Sequence, residues 1–554
     1  MNDNLVREQV EKMVSDPLFG PSNRISRFLR YIVEETLNGA SDRLKAYSIA
    51  LSVFDRDHSF DPQGNSIVRV QAKRLRMQLK LYYITTGRTD PVLIEIPKGS
   101  YVPKFSYRSI SQINGVETSC RKTAFHPPAS GIPVVAFYPC SRLYSAEWHK
   151  EFCSGLMEEL VIAFSKFREI AIVPLATTLP ELHTIRDPIG YGVMFGADFV
   201  LETSIRGNDD SARLSVKLND TRSGLYAGTA SYDISHDPDG MIPRQETIAN
   251  ELASLAATPF GLLHNDQRKL LKSGKKQPST AYEHLLLADA YYLEPSQASF
   301  DRALAATTKA TKMAPEYPIG NAMLAILHID GYLAGYDGLA PDETMLDDGY
   351  QIAAEALQRF PDDCDTNLAV CMAQFARGRD AEACRRGRMA IELNPNNKLI
   401  QSDYWFYRAT HGDWEEAICE MDKIARSSVA DLNQARRIKA INAYRVGQFE
   451  KALDLFEQAC TPHDFLANLH VVMCLGQLDR AQPACEKIRQ LKSLRPDLSL
   501  NLVARLFSRN YQPALTRQCM EGLLLAGFDN SVGKTFPLPA SDQQASRTQT
   551  SSGA

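Results

Sequence analysis

Residues 66–83 read SIVRVQAKRLRMQLKLYY. On a helix, Val68, Ala72, Leu75, Leu79 and Tyr82 recur at steps of four, three, four and three, which makes one apolar stripe. Arg69, Lys73, Arg76 and Lys80 repeat that spacing one residue later, with Arg74 beside them, so a row of cations flanks the stripe. No Asp or Glu falls within the stretch. A helix that is half core and half cation is suited to lie against an anionic surface, and the phosphates of duplex DNA are the first candidate. The alternative is a charged face that meets only water.

The flanking segments read as helices and a hairpin. Residues 5–14 carry a helical segment, residues 23–38 a core-facing helix stopped by Gly39, and residues 44–54 a further apolar helix. Asp61-Pro62 and Gly64-Asn65 are turn chemistry, and Ser66 stands where a helix N-cap belongs. After Gly87, PVLIEIPKGSYVPKF at 91–105 reads as a strand from Val92 to Ile96, a turn at Pro97-Lys98-Gly99, and a second strand from Tyr101 to Phe105. The helices at 23–38 and 44–54, the basic helix as the third, and a terminal hairpin predict an α+β winged helix over residues 1–108.

The segments LKAYSIALSVFDRDHSFDP (44–62), SIVRVQAKRLRMQL (66–79) and IPKGSYVPKF (96–105), in this order, resemble the OmpR-type winged helix. They are closer still to the N-terminal domain of bacterial proteins that also carry a TolB-like segment and tetratricopeptide repeats. The resemblance implies that the basic helix enters the major groove, and that Arg69, Lys73, Arg74, Arg76 and Lys80, with Lys98 on the wing, contact DNA. Gln71 and Gln78 are the only amide side chains on that helix, so phosphate contact is expected ahead of base reading. The OmpR group opens with a small sheet, whereas this chain opens with a helix.

Composition agrees with a local rather than a general affinity for nucleic acid. The chain of 554 residues is 44% hydrophobic and 23% charged, as soluble multidomain proteins are, and its net charge is −4. Residues 1–108 hold 17 Lys and Arg against 12 Asp and Glu, a local charge of +5, so the remainder is acidic. No apolar run is long enough to span a bilayer, and the first residues lack the apolar core of a signal peptide, which predicts a cytoplasmic protein without membrane contact. The 11 cysteines form no CxxC pair and read as small apolar residues in a reducing compartment.

Residues 109–131 read as a polar linker. From 132 to 266 a strand (IPVVAFYPC), a helix from Glu147 to Phe167 and a second strand (EIAIVPL) imply a parallel pair, followed by a helix from Pro188 to Phe195. Three further strands are joined by turns at Gly207–Asp210 and Thr221–Gly224, and a closing helix runs from Pro243 to Leu262. GLMEEL, GADFVLE and LNDTRSG occur in an order that resembles the TolB amino-terminal-like domain. Glu158, Glu159, His149 and His183 show no metal-ligand spacing, and Gly155 lacks the partner glycines of a phosphate loop. Neither enzyme activity nor a cofactor or metal is expected.

After a linker at 267–280, residues 281–530 repeat. Gly378 is followed by Ala383, Ala390 and Pro395; Gly412 by Ala417; Gly447 by Ala452 and Ala459; Gly476 by Ala481. Ala303, Ala310 and Pro315 keep the same internal spacing, as do Ala356 and Pro361. A period of 34 residues with small residues where helices cross is the tetratricopeptide pattern, here in about six units, with one lengthened by HIDGYLAGYDGLAPDE. The aromatic run Tyr404–Tyr407 must point around its helix, so most of it is expected between repeats. Residues 531–554 are expected to be disordered.

The function expected is that of a one-component transcriptional regulator. Its partners are double-stranded DNA at the first segment and a protein or peptide at the repeat groove, with a homo-oligomer left open. The alternative is a tetratricopeptide scaffold that binds no DNA, or a signalling protein related to adenylate cyclases but lacking their catalytic domain.

Overall fold

A computed structural model describes residues 3–16, 19, 24–54, 61, 67–84, 87, 90–97, 99–107, 130–143, 146–174, 187–337, 343–427, 432–459 and 464–528. The chain falls into two compact units. One is Met1–His126 with Leu175–Val200 and Asn219–Leu225; the other is Pro127–Pro174, Leu201–Leu218 and Tyr226–Ala554. Ser66, the linker at 109–129, His183 and the tail from 529 lie outside the described residues.

In the first unit, α1 (Asp3–Val14), α2 (Arg24–Leu37), α3 (Ala46–Phe54) and α4 (Ile67–Ile84) enclose one core with a two-stranded sheet. Gly39, at φ +76°, ends the second helix as expected. The stripe of α4 is the centre of this core: Val68, Ala72, Leu75, Leu79 and Tyr82 are each no more than 2% exposed. The opening helix is held by a buried carboxylate. Asp90 accepts from Gln9 Nε2 and from the Tyr82 hydroxyl, both at 2.6 Å, and from Lys12 Nζ. Burial works against its charge, but those three donors together hold the carboxyl below its usual range.

The hairpin is looser than its sequence suggests. β1 (Val92–Glu95) pairs antiparallel with β2 (Lys104–Tyr107), Val92 facing Tyr107 and Glu95 facing Lys104. The connection therefore runs from Ile96 to Pro103, longer than expected, and the expected turn lies inside it, closed by the Ser100 N–H donating to the Pro97 carbonyl at 3.2 Å. Pro97 and Pro103 have no N–H to donate to a ladder, and Gly99 sits at φ +83°. Arg76 fills the gap, its Nε donating to the Ile96 carbonyl at 3.1 Å and its Nη2 to that of Ser100 at 2.7 Å.

A five-stranded sheet has the order β4-β3-β5-β6-β7, built from β3 (Val134–Leu143), β4 (Ala171–Ile172), β5 (Phe199–Gly207), β6 (Ser211–Asp220) and β7 (Tyr226–Ser235). The parallel pair is β3 with β4. Both expected turns form around an acceptor side chain: Asn208 Oδ1 takes the N–H groups of Asp210 and Ser211, and Asp220 Oδ1 those of Arg222 and Ser223. The closing helix is two helices, Met241–Ala257 and Leu262–Lys272. Pro259 drives Thr258 into an extended conformation (ψ 157°) and breaks the run. The second of these helices passes through residue 267, so the linker placed at 267–280 is reduced to Ser273–Thr280.

Among the described residues seven helix pairs follow, where the spacing predicts about six units. They are Ala281–Ala288 and Ala290–Leu293 with Gln297–Met313; Pro318–Ala334 with Thr344–Arg359; and Cys364–Ala376 with Asp380–Leu393. Then come Lys398–Thr410 with Trp414–Ser427; Leu432–Arg445 with Phe449–Ala459; Phe465–Gln477 with Ala481–Leu494; and Leu500–Asn510 with Pro513–Leu525. This is a tetratricopeptide-like solenoid. Ala383, Ala417 and Ala452 are fully buried at the helix crossings.

The fourth member of that series is Asp479 with Ala484, not Gly476 with Ala481. The turn bonds from Gly378 N to Phe375 O and from Arg379 N to Gln374 O recur as Asp479 N to Gly476 O and Arg480 N to Leu475 O. Asp479 takes the left-handed position, φ 56°, that Gly378 holds at 68°; Ala484 is buried and Ala481 exposed.

Candidate functional site

The edge of α4 opposite its core stripe carries exposed Arg69, Val70 and Lys73, with Arg74 partly exposed. Arg76 belongs to the hairpin side of the helix, its guanidinium donating to the two carbonyls of the connection. Lys98 and the side chain of Lys80 lie outside the described residues. Gln78 is 6% exposed and takes no part in any surface, which leaves Gln71 as the amide at this edge. The cationic edge is thus narrower than the spacing alone suggests.

In the second unit the first helices of successive pairs, together with the Leu262–Lys272 helix, surround a cavity of about 910 Å³. Tyr282, Tyr291, Tyr292, Tyr317, Tyr336 and Tyr407 line it, among Leu, Ile and Met side chains. Six carboxylates reach it. Two are paired: Asp289 with Arg268 and Asp464 with Arg437, both at 3.0 Å. Asp403 accepts from Gln434 Nε2 at 3.0 Å. Glu169, Asp330 and Asp365 have no ion-pair partner among the described residues. Burial pushes the carboxyls of Glu169 and Asp365 up, each reinforced by a neighbouring carboxylate's charge, and raises Asp330 to about 7.

The two histidines at the cavity are structural. His470 Nδ1 lies 2.7 Å from the Leu466 carbonyl, an acceptor only, so that nitrogen carries the proton and Nε2 accepts from the Tyr511 hydroxyl at 2.7 Å. By the same logic His264 donates from Nε2 to Ala257 and accepts from Tyr282 at Nδ1. Burial lowers them to about 4 and about 3, so both are neutral at physiological pH. Of the central residues weighed for chemistry, His149 is fully buried and Glu158 is exposed.

The aromatic run divides in two. Tyr404 is buried, its ring so close to Gly387 that no Cβ fits there, whereas Phe406 and Tyr407 face the cavity. The cavity acids escaped the sequence reading. Their signal was position: Asp330, Asp365 and Asp403 all fall on first helices, which turn one face inward in such an array.

No protein-family model matches the chain, and no curated protein does. Among solved structures, a human IFIT1 dimer with m7Gppp-AAAA is similar at 13% identity and a TM-score of 0.33, over 52% of this chain and 66% of that one. Nothing about ligand or assembly follows from a likeness at that score.

Proposed function

We propose that the chain is a non-enzymatic, cytoplasmic DNA-binding regulator, in which α4 is the third helix of a winged helix and the solenoid holds a partner or effector. The observation that carries this reading is the division of α4 into a fully buried apolar stripe and an acid-free edge with exposed Arg69 and Lys73. Among the described residues no helix is long and apolar enough to cross a membrane.

The test is fluorescence anisotropy of the full chain on promoter-length duplex DNA at graded salt. The expected affinity falls steeply with salt, and changing Arg69 and Lys73 together to Ala reduces the slope of log K against log salt by about 2. Absence of any salt-dependent binding overturns the reading. A second reading, a repeat scaffold that binds no DNA, is favoured by the size of the solenoid cavity and predicts that same absence.

A further inference from the structure

The cavity of the helical array carries an inference that goes beyond DNA contact and stands whether or not DNA is bound. Glu169 is 5% exposed, and its Oε1 has no hydrogen-bond partner among the described residues. Asp365 lines the same cavity, and its charge bears on the Glu169 carboxyl. Asp363, 3% exposed, spends Oδ1 on the N–H and hydroxyl of Thr366 and leaves Oδ2 without a partner. Buried carboxylate oxygens with nothing to accept from cost free energy unless a donor or a positive charge is supplied. An anion at this place would deepen the cost, and a cation would relieve it.

The walls restrict which cation. Asp363, Cys364 and Asp365 lie close enough together to suggest a metal. Burial, however, pushes the Cys364 thiol far up, so it stays protonated and donates to Asp365 at 3.4 Å. Hard metal ions want several oxygens, whereas Leu368, Met372 and Tyr317 present carbon and an aromatic ring on this side of the cavity. At about 910 Å³ the space suits a molecule of drug size and exceeds what one ion needs.

We infer that the cavity is a binding site for a small organic cation, with an ammonium or guanidinium group set between Glu169 and Asp365 and an apolar body against Tyr317, Leu368 and Met372. The test is calorimetric titration of the full chain with dansylcadaverine, a primary amine on an alkyl chain with an aromatic end, beside its neutral N-acetyl derivative and Mn²⁺ alone. The amine is expected to bind at least about tenfold tighter than the acetyl derivative, a ratio worth one charge-assisted hydrogen bond. Glu169→Gln, nearly the same size and free of the buried charge, should lose about the same factor while melting no lower than wild type. Equal binding of amine and acetyl derivative, no binding of either, or full affinity in a normally folded Glu169→Gln variant overturns the inference. Binding of Mn²⁺ without binding of the amine overturns it in favour of a metal.

Discussion

Gly476 lies against the carbonyl oxygen of Gly522 with no room between them for a side chain. The two glycines let the helices Phe465–Gln477 and Pro513–Leu525 cross backbone to backbone. Gly476→Ala therefore overpacks a contact whose other side is main chain, which cannot swing away. We expect a loss of about 1–3 kcal/mol or more, measured by urea denaturation of the full chain. A variant as stable as wild type would remove this crossing from the account.

Asp479 supports an opposite prediction. At φ 56° it pays for a left-handed conformation that Gly378, Gly412 and Gly447 adopt freely at the equivalent turns. Asp479→Gly should leave stability unchanged or raise it by up to about 1 kcal/mol, whereas Gly378→Ala should lower it by about 1 kcal/mol. If Asp479→Gly is clearly destabilising, the turn is not the repeat's fourth member.

Arg76 separates a structural cation from contact cations. Arg76→Ala strips two hydrogen bonds from the hairpin connection and should lower the stability of the first unit by about 1–3 kcal/mol. Lys73→Ala, at an exposed position, should leave the melting curve in place and act only on DNA affinity. Thermal melting followed by circular dichroism distinguishes the two, and equal melting of all three proteins would return Arg76 to the cationic row.

Asp330 makes a prediction in pH. Its carboxyl is raised by burial to about 7, above its value in an unfolded chain. The folded state thus holds this proton more tightly, and the stability it brings is present at low pH and lost as pH rises through about 7. Asp330→Asn keeps an acceptor for Tyr292 and removes the charge. Its melting temperature should exceed that of wild type by a few degrees at pH 8.5, with the gap closing toward pH 5. A gap that is constant across pH would show that the charge is not the cause.

What the residue pattern could reveal followed from how local each feature is. The stripe from Val68 to Tyr82 and the alanines at 383, 417 and 452 obey a helical period, and all of them are buried as that period demands. Contacts made across the chain were not legible. Arg76 looks like any other member of its row until the hairpin connection supplies two carbonyls twenty and twenty-four residues away. Asp90 gives no sign in sequence that it fastens α1. Gly476 mimicked a repeat turn because small residues serve both turns and crossings, and only the backbone angle at Asp479 tells them apart. The cavity acids were invisible for a related reason: their spacing is irregular, and they meet only once the pairs are stacked.

The break at Pro259 has a further consequence. It turns the Leu262–Lys272 helix onto the first pair, where Leu271 joins Ala281, Tyr282 and Leu285 in one apolar cluster. Arg268, bonded to Asp289 at 3.0 Å, pins the junction. Stacked repeats expose an apolar end wherever the series stops, and a lid there is what keeps such arrays from sticking to one another. The segment that sequence would hand to a flexible tether is that lid. A recombinant fragment of the repeats cut at residue 281 would begin on an uncovered face, while one begun ahead of Leu262 would carry its own closure.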